Sequence, residues 1–194
     1  YFIIYGDRIY KVLKPFLKLF EFRRKLIEDI DIGVELKDHI VLVGAHRTGY
    51  SIIQSLTGSG ANFVALDFDP VLVKELKKKD IPIFYGDVND EEIQEIVGLK
   101  NAKVIISTVP GTRDNLAILS SVKTKNKKAK VILTAQNIDD AKEFYKLGAN
   151  YVIMPNFVGG WDLAQAIGKK KDLSGLLKLQ ERDAKVLDLR AFRK

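Results

Sequence analysis

From residue 39 onward, short runs of β-branched and other apolar residues alternate regularly with stretches of helical periodicity. Each pair of successive runs is separated by enough chain for a helix, which forces the runs to pair as parallel strands through right-handed crossovers. Runs that are apolar throughout are typical of strands covered on both faces. The sequence therefore predicts a doubly wound, six-stranded parallel sheet. Its strands are predicted at residues 39–43, 62–66, 81–84, 103–107, 130–134 and 151–153.

The helices of this fold are predicted from the segments between the strands. The first follows a glycine turn and continues through about Thr57, and Pro70 opens the second at a position where proline is well tolerated. The others are predicted at residues 90–97, 114–122 and 138–147, and the second is predicted to end in the lysine run at 77–79.

Length and composition limit the chain to one ordinary domain. Its 194 residues, 46% of them hydrophobic, suffice for one full core but not for two large domains. The absence of cysteine excludes disulfide scaffolds and thiolate zinc sites. The two histidines, His39 and His46, cannot form a metal site without carboxylates, and we expect none.

The net charge of +7 is concentrated in the two terminal segments. Residues 1–25 carry +5 and residues 169–194 carry +5, whereas the segment between them carries −3. This distribution argues against a nucleic-acid-binding face on the core. It favours terminal segments that meet something anionic.

The first terminal segment has the pattern of a basic amphipathic helix. Apolar residues at positions 9, 12, 13, 16, 17 and 20 share one face, basic residues lie on the other, and Pro15 is expected to bend the helix. Such a helix either lies beside a membrane or packs on its own domain, and the sequence leaves both open. We divide the chain into an amphipathic helix and linker at 1–37, a Rossmann-like domain at 38–168 and a helical extension at 169–194. In the extension, the lysines at 169–171 are predicted to be solvated, with contact to anionic lipid or to another anionic surface as the alternative.

The carboxyl ends of the strands are where such sheets bind ligands. After the first strand stands GAHRTG at 44–49, which matches the dinucleotide fingerprint G-x-G-x-x-G except that His46 replaces the second glycine. Gly44 allows a tight turn and Gly49 allows close packing of helix on strand. Free N–H groups from about Arg47 to Tyr50, together with the helix dipole, would offer an anion site to which His46 adds a donor.

Further candidate residues follow the other strands. Asp67 stands 23 residues after Gly44, near the spacing expected for a carboxylate that accepts from ribose hydroxyls. Asp69 and Asp90 are predicted to cap the next helices. Asp87 is then left for the ligand, beside an adenine amino group. The same crevice is expected to receive three side chains that follow the fourth strand, namely Thr108, Val109 and Arg113.

The order of these motifs carries a family resemblance. VGAHRTGY, LDFDP, YGD, VIISTVP, DNL and LGANYVIMP follow one another over residues 38 to about 170 and resemble the N-terminal RCK, or KTN (TrkA-N), domain. Residues 1–25 resemble, more loosely, the exit of the last membrane helix in CPA2-type monovalent cation:proton antiporters, which include Kef-like proteins.

The resemblance implies a cytosolic nucleotide-sensing domain of a potassium or sodium/proton antiporter, within one polypeptide and on the cytoplasmic face of the cell membrane. Its ligand would be NAD(H) or one of AMP, ADP and ATP, and His46 shifts the expectation toward a mononucleotide. Residues 157–167 would pair two copies as a homodimer. The implied nucleotide-binding residues are Gly44, His46, Arg47, Thr48, Gly49, Asp67, Phe68, Asp87, Val88, Thr108, Val109 and Arg113.

An NAD(P)-dependent oxidoreductase of a small Rossmann type is the alternative. Such enzymes need substrate loops and a proton-transfer residue near the nicotinamide. Only about 40 residues follow the sixth strand, and they include no histidine. Tyr10 and Lys14 have a dehydrogenase-like spacing but precede the fingerprint. We therefore predict that the chain is not an enzyme.

Overall fold

A computed structural model of the chain describes residues 36–168, residue 176 and residues 178–181. The predicted amphipathic helix, its bend at Pro15 and most of the predicted extension from 169 lie outside the described residues. Residue 176 and residues 178–181 are helical. No helix within the described ranges is both long enough and apolar enough to span a membrane.

Six parallel strands form a single sheet, as predicted. Their order is β3-β2-β1-β4-β5-β6, and β1 and β4, the two central strands, lie where the winding direction reverses. In register, Val41 of β1 pairs with Val64 of β2 and with Ile105 of β4. The strands are β1 (Ile40–Val43), β2 (Phe63–Asp67), β3 (Ile83–Tyr85), β4 (Val104–Ser107), β5 (Lys130–Thr134) and β6 (Tyr151–Ile153).

Helices follow the strands and return the chain to the opposite edge of the sheet. They are α1 (Arg47–Gly58), α2 (Pro70–Lys77), α3 (Glu91–Ile96), α4 (Thr112–Lys125), α5 (Ile138–Lys146) and α6 (Pro155–Gly168), with a 3-10 turn at Leu99–Asn101.

The predicted boundaries are wrong by up to three residues, for local reasons. α2 ends at Lys77, within the lysine run predicted to end it, and the chain then turns at Asp80, whose φ is 55°. β3 begins at Ile83 rather than at Ile81 because the N–H of Ile81 still donates to the Leu76 carbonyl of that turn.

The core confirms a sheet covered on both faces. Val41, Val64 and Ile105 are inaccessible to solvent, although they alternate in direction with Leu42 and its neighbours. On one face, α1 and α2 pack Ile53 and Leu76 against the sheet. Burial of each such side chain contributes about 1.5–3 kcal/mol, so the central strands are held rigidly. The strand ends that could bind a ligand therefore have fixed positions.

Candidate functional site

The turn between β1 and α1 requires both of its glycines. Gly44 has a φ of 87°, in the left-handed region, and its N–H donates to the carbonyl of Leu66 at 2.8 Å. A Cβ at Gly49 would overlap the carbonyl oxygen of Gly44. The first turn of α1 therefore lies directly against the end of β1, which is the close approach expected from the motif.

Two of the four N–H groups expected to be free are occupied. The N–H groups of Gly49 and Tyr50 both donate to the carbonyl of His46, at 2.7 and 3.3 Å. Within the described part of the chain, those of Arg47 and Thr48 have no acceptor. The first turn of α1 holds no acidic side chain and no capping side chain. The positive end of the helix dipole is therefore not neutralised there.

The carboxylate of Asp67 links this turn to the end of β2. One oxygen accepts the N–H of Ala45 at 2.6 Å and the other accepts the N–H of Asp69 at 2.9 Å. The side chain is buried, with 4% exposed. Each oxygen retains further acceptor capacity, and the predicted contact with a ribose stays a prediction. The observed role of Asp67 is to hold two loops together.

His46 leans away from α1 toward α2. Its Nε2 lies 3.3 Å from Oδ2 of Asp69. The other oxygen of Asp69 accepts the N–H groups of Val71 and Leu72, which confirms that Asp69 caps α2. The N–H of Leu72, then that of Val71 and, more weakly, His46 lower the pKa of Asp69 below its ordinary 3.8.

A cavity of about 250 Å³ opens beside the turn. It is lined by Ala45, His46, Arg47, Tyr50 and Leu72. The sequence analysis included the N–H of Tyr50 but not its ring, and it did not identify Leu72, which comes three residues after the cap of α2. The cavity thus has a cationic rim and an aromatic and aliphatic wall.

The loop after β4 reaches the same turn. Thr108 donates its hydroxyl to the carbonyl of Gly44 at 3.0 Å, and the N–H of Val109 lies close to Gly44. Asn115 holds this loop, because its side-chain amide donates to the carbonyls of Val109 and Thr134 at 2.8 and 3.0 Å. The DNL motif contained Asn115, but nothing in the motif itself indicated this role.

The remaining predicted residues lie farther out, without direct contacts to the turn. Phe68 is 72% exposed, and Asp87 is exposed and accepts the N–H of Asn89 at 2.9 Å. Val88 is buried and Arg113 is exposed in the first turn of α4. Asp90, which follows Val88, caps α3, as predicted.

Comparison with known proteins identifies a family. Residues 40–155 match the TrkA-N domain. Potassium channel protein 1 of Methanocaldococcus jannaschii is 28% identical over 144 residues, which cover 73% of this chain and 42% of that protein. The glutathione-regulated potassium-efflux protein KefC of Cronobacter sakazakii is 29% identical over 105 residues, which cover 54% of this chain and 17% of that protein. The chain thus spans less than half the length of these curated relatives.

Solved structures share the fold. The TrkA-N domain of the inner membrane protein ybaL from Escherichia coli superposes with a TM-score of 0.65 at 26% identity, covering 68% of this chain and 98% of that one. An AMP-bound Kef C-terminal domain from Shewanella denitrificans gives 0.60 at 20%, covering 79% and 98%. The GsuK channel bound to NAD gives 0.55 at 18%, covering 75% and 27%.

Proposed function

Because this chain belongs to the TrkA-N domain family, we propose that it binds an adenine nucleotide at the carboxyl ends of β1, β2 and β4. The ligand is NAD(H) or one of AMP, ADP and ATP. The observation that carries this proposal is the open N-terminus of α1, which lies against the buried carboxylate of Asp67 and beside a cavity. The AMP and NAD of the two structural neighbours agree with it in ligand class.

The phosphate end of the ligand binds at the glycine turn. Arg47 and Thr48 contribute backbone N–H groups, Arg47 adds a guanidinium, and His46 adds an imidazole at the rim of the cavity. Gly44 and Gly49 shape the turn for the ligand, since a Cβ at Gly44 would overlap the hydroxyl of Thr108 and a Cβ at Gly49 the carbonyl of Gly44. These five residues therefore form the anion site.

The nucleoside end extends along the neighbouring strand ends. Asp67 accepts from the ribose hydroxyls through its remaining lone pairs. The adenine then lies near the ends of β3 and β4, against an exposed aromatic ring and beside polar loop groups. The residues of this half are Phe68, Asp87, Val88, Thr108, Val109 and Arg113.

The bound nucleotide regulates a transporter. In this proposal the 38–168 domain is attached, through the segment at 1–37, to a membrane transport domain of the same polypeptide that exchanges potassium or sodium for protons. The domain then lies on the cytoplasmic face of the cell membrane, and the extension at 169–194 follows it. Support comes from the relationship to KefC and from the basic amphipathic pattern of residues 1–25. A nucleotide regulates only to the extent that its affinity differs between two states of the assembly.

A homodimer with two arrangements of its subunits provides the two states between which nucleotide affinity differs. Helix α6 leaves large apolar side chains about half exposed, and the rings of Phe157 and Trp161 stack at 6.2 Å. Burial of this face against a second copy would remove it from water. The apolar residues of this face are Phe157, Val158, Trp161, Leu163 and Ile167.

We propose binding without turnover. The residues that surround the turn serve to hold a phosphorylated ligand. His46 and Tyr50, which line the cavity, are residue types that transfer protons in enzymes, so the support for binding alone is the relationship to a potassium channel and to KefC. Oxidation of NADH with a small carbonyl compound by the purified chain would favour the oxidoreductase instead.

Calorimetric titration of the full chain with AMP, ADP, ATP, NAD and NADH tests the site. We expect at least one of them to bind, and Arg47→Gln to weaken binding by about 1.5–3 kcal/mol through loss of a charge-assisted hydrogen bond. Lys74→Gln, an exposed position on α2, is the matched control and should leave the affinity unchanged. Absence of binding by all five nucleotides, or equal affinities of Arg47→Gln and wild type, would contradict the proposal.

A further inference from the structure

Charged residues are separated between the two ends of the strands. We call the side of the sheet where the strands begin the amino edge, and the side where they end the acidic edge. The segments at the amino ends of the strands hold twelve lysines and two aspartates, whereas those at the carboxyl ends hold two arginines and nine acidic residues. The amino-end segments are 36–39, 59–62, 77–82, 97–103, 123–130 and 146–150. The carboxyl-end segments are 44–48, 67–71, 85–92, 107–114, 134–140 and 153–158. The described domain thus has formal charges of +10 and −7 at opposite edges.

Five lysines at the amino edge form one continuous surface, which we call the lysine edge: Lys37, Lys103, Lys127, Lys128 and Lys130. All five are exposed, and within the described residues none has an acidic partner. Backbone hydrogen bonds connect two of them, because the N–H of Lys130 donates to the Lys103 carbonyl and that of Lys103 to His39, two residues after Lys37. Their strands are neighbours, at a spacing of about 4.8 Å.

Helix dipoles do not account for all of the lysine edge, although Lys127 and Lys128 directly follow the C-cap of α4 at Asn126. Lysines in the last turn of a helix offset its negative end, which explains Lys123 and Lys125 of α4. Lys125 also pairs with Glu91 at 3.0 Å. Lys37, Lys103 and Lys130 instead precede or open strands, where no such dipole acts. An anionic surface against them would attract all three charges at once.

The composition of the surface distinguishes between anionic partners. Apart from the half-exposed Tyr151 that opens β6, the segments at this edge contain no arginine and no Phe, Tyr or Trp side chain. Recognition of nucleic acid relies on bidentate arginine and on aromatic stacking. The ammonium groups of lysine, carried on flexible side chains, suit an array of phosphate groups whose positions are not fixed, such as lipid headgroups. In addition, the chain enters the domain at this edge, and residues 1–25 carry +5, although residues 26–35 between them and the domain hold four acidic side chains.

We propose that the lysine edge docks on the anionic headgroups of a lipid bilayer. The inference rests in part on the proposed membrane attachment. It also gives the domain an orientation, since the acidic edge with the nucleotide site then faces away from the membrane. Repulsion between the acidic edge and the lipid opposes the inverted orientation.

Vesicle co-sedimentation of the full chain tests this proposal. We expect binding to vesicles of phosphatidylcholine with phosphatidylglycerol, weaker binding to phosphatidylcholine alone, and a loss of affinity as ionic strength rises. The double substitution of Lys103→Gln and Lys130→Gln should weaken binding to the anionic vesicles by about 30-fold, at roughly fivefold per lysine. Residues 1–25 are present in every variant, so the ratio reports on the edge.

A charge-matched control separates position from net charge. Lys74→Gln with Lys142→Gln removes the same charge from the outer faces of α2 and α5 and should change vesicle affinity less than threefold. Equal losses in the two double variants would overturn the proposal. Tighter binding of a DNA duplex than of vesicles, with the same sensitivity to the lysine-edge variant, would also overturn it in favour of nucleic acid.

Nucleotide titration of the same variants keeps the two proposals apart. The lysine edge and the nucleotide site lie at opposite ends of the strands, so both double variants should bind nucleotide as wild type does. Failure of vesicle binding with intact nucleotide binding contradicts only the docking surface. Vesicle binding as expected, without binding of any nucleotide, contradicts only the nucleotide site.

Discussion

At the scale of single residues, Gly49 has the most demanding position. Its Cα faces the carbonyl of Gly44, and an added methyl group must displace the turn or the helix. We expect Gly49→Ala to lower the free energy of unfolding by about 1–3 kcal/mol, the usual cost of overpacking, and to weaken nucleotide binding. Urea unfolding measures the first effect and calorimetry the second.

Gly58 provides the control for this prediction. It ends the same helix, and a Cβ there would meet nothing within 4 Å. Gly58→Ala should therefore leave stability unchanged or raise it by up to about 1 kcal/mol, because alanine favours helix and restricts the unfolded chain. Equal stabilities of the two variants would show that the turn adapts to a side chain.

The carboxylate of Asp69 leads to a prediction about the stability of the folded chain at acid pH. Its pKa is lowered by the N–H groups of Leu72 and Val71 and then by His46, so its charged form stabilises the folded chain. This contribution is complete above the ordinary pKa of 3.8 and is lost as pH falls through the lower value of the folded state. Asp69→Asn keeps an oxygen acceptor that does not titrate.

Thermal melts between pH 6 and pH 3 test this assignment. The Tm of wild type should fall more steeply than that of Asp69→Asn as the pH approaches and passes 3.8. All other carboxylates titrate in both proteins, so their effect cancels in the comparison. Parallel curves would mean that the ionised Asp69 contributes nothing to stability.

At the scale of elements, Asn115 fixes the loop between β4 and α4. Its buried amide donates to carbonyls on that loop and to the end of β5. Asn115→Ala leaves those carbonyls without a donor and should cost about 1–3 kcal/mol in unfolding free energy. Because the loop also carries Thr108, which donates to the glycine turn, nucleotide affinity should fall as well.

Asn89 is a suitable control for the loop prediction. It is an exposed asparagine in the loop before α3, and Asn89→Ala should change stability by less than about 0.5 kcal/mol. Differential scanning calorimetry distinguishes the two variants. A loss of stability in Asn115→Ala no larger than in Asn89→Ala would exclude the supporting role of the amide.

For the whole molecule, the apolar face of α6 has the largest group of exposed apolar side chains on any helix within the described residues. In the proposed dimer its apolar face is buried against a second copy, so Trp161→Asp should introduce a charge into that interface and give a monomer. Sedimentation velocity measures the oligomeric state. Val71→Asp, at a similarly exposed apolar position on α2, is the control. A wild-type chain that is already monomeric at the highest concentration would contradict the dimer.

The strand and helix pattern could be predicted because it depends on neighbours in the chain. Runs such as 103–107 are apolar on both faces, and burial on both sides of a sheet needs that local pattern. Caps at Asp69 and Asp90 were predicted for the same reason, since a capping side chain bonds only two or three residues ahead. The predicted and observed boundaries differ where a local turn, such as that at Asp80, continues into a predicted strand.

The parallel α/β sheet, the glycine turn and the family could all be derived from local patterns in the chain. Three contacts were found only in the folded protein: Asp67 accepts the N–H of Ala45, His46 turns to Asp69, and Asn115 joins two loops. The gathering of lysines at one edge was likewise found only there. Each of these depends on groups 19 or more residues apart, and periodicity and propensity act over only a few residues. Long-range hydrogen bonds and charge distributions exist only once the strands have taken their order.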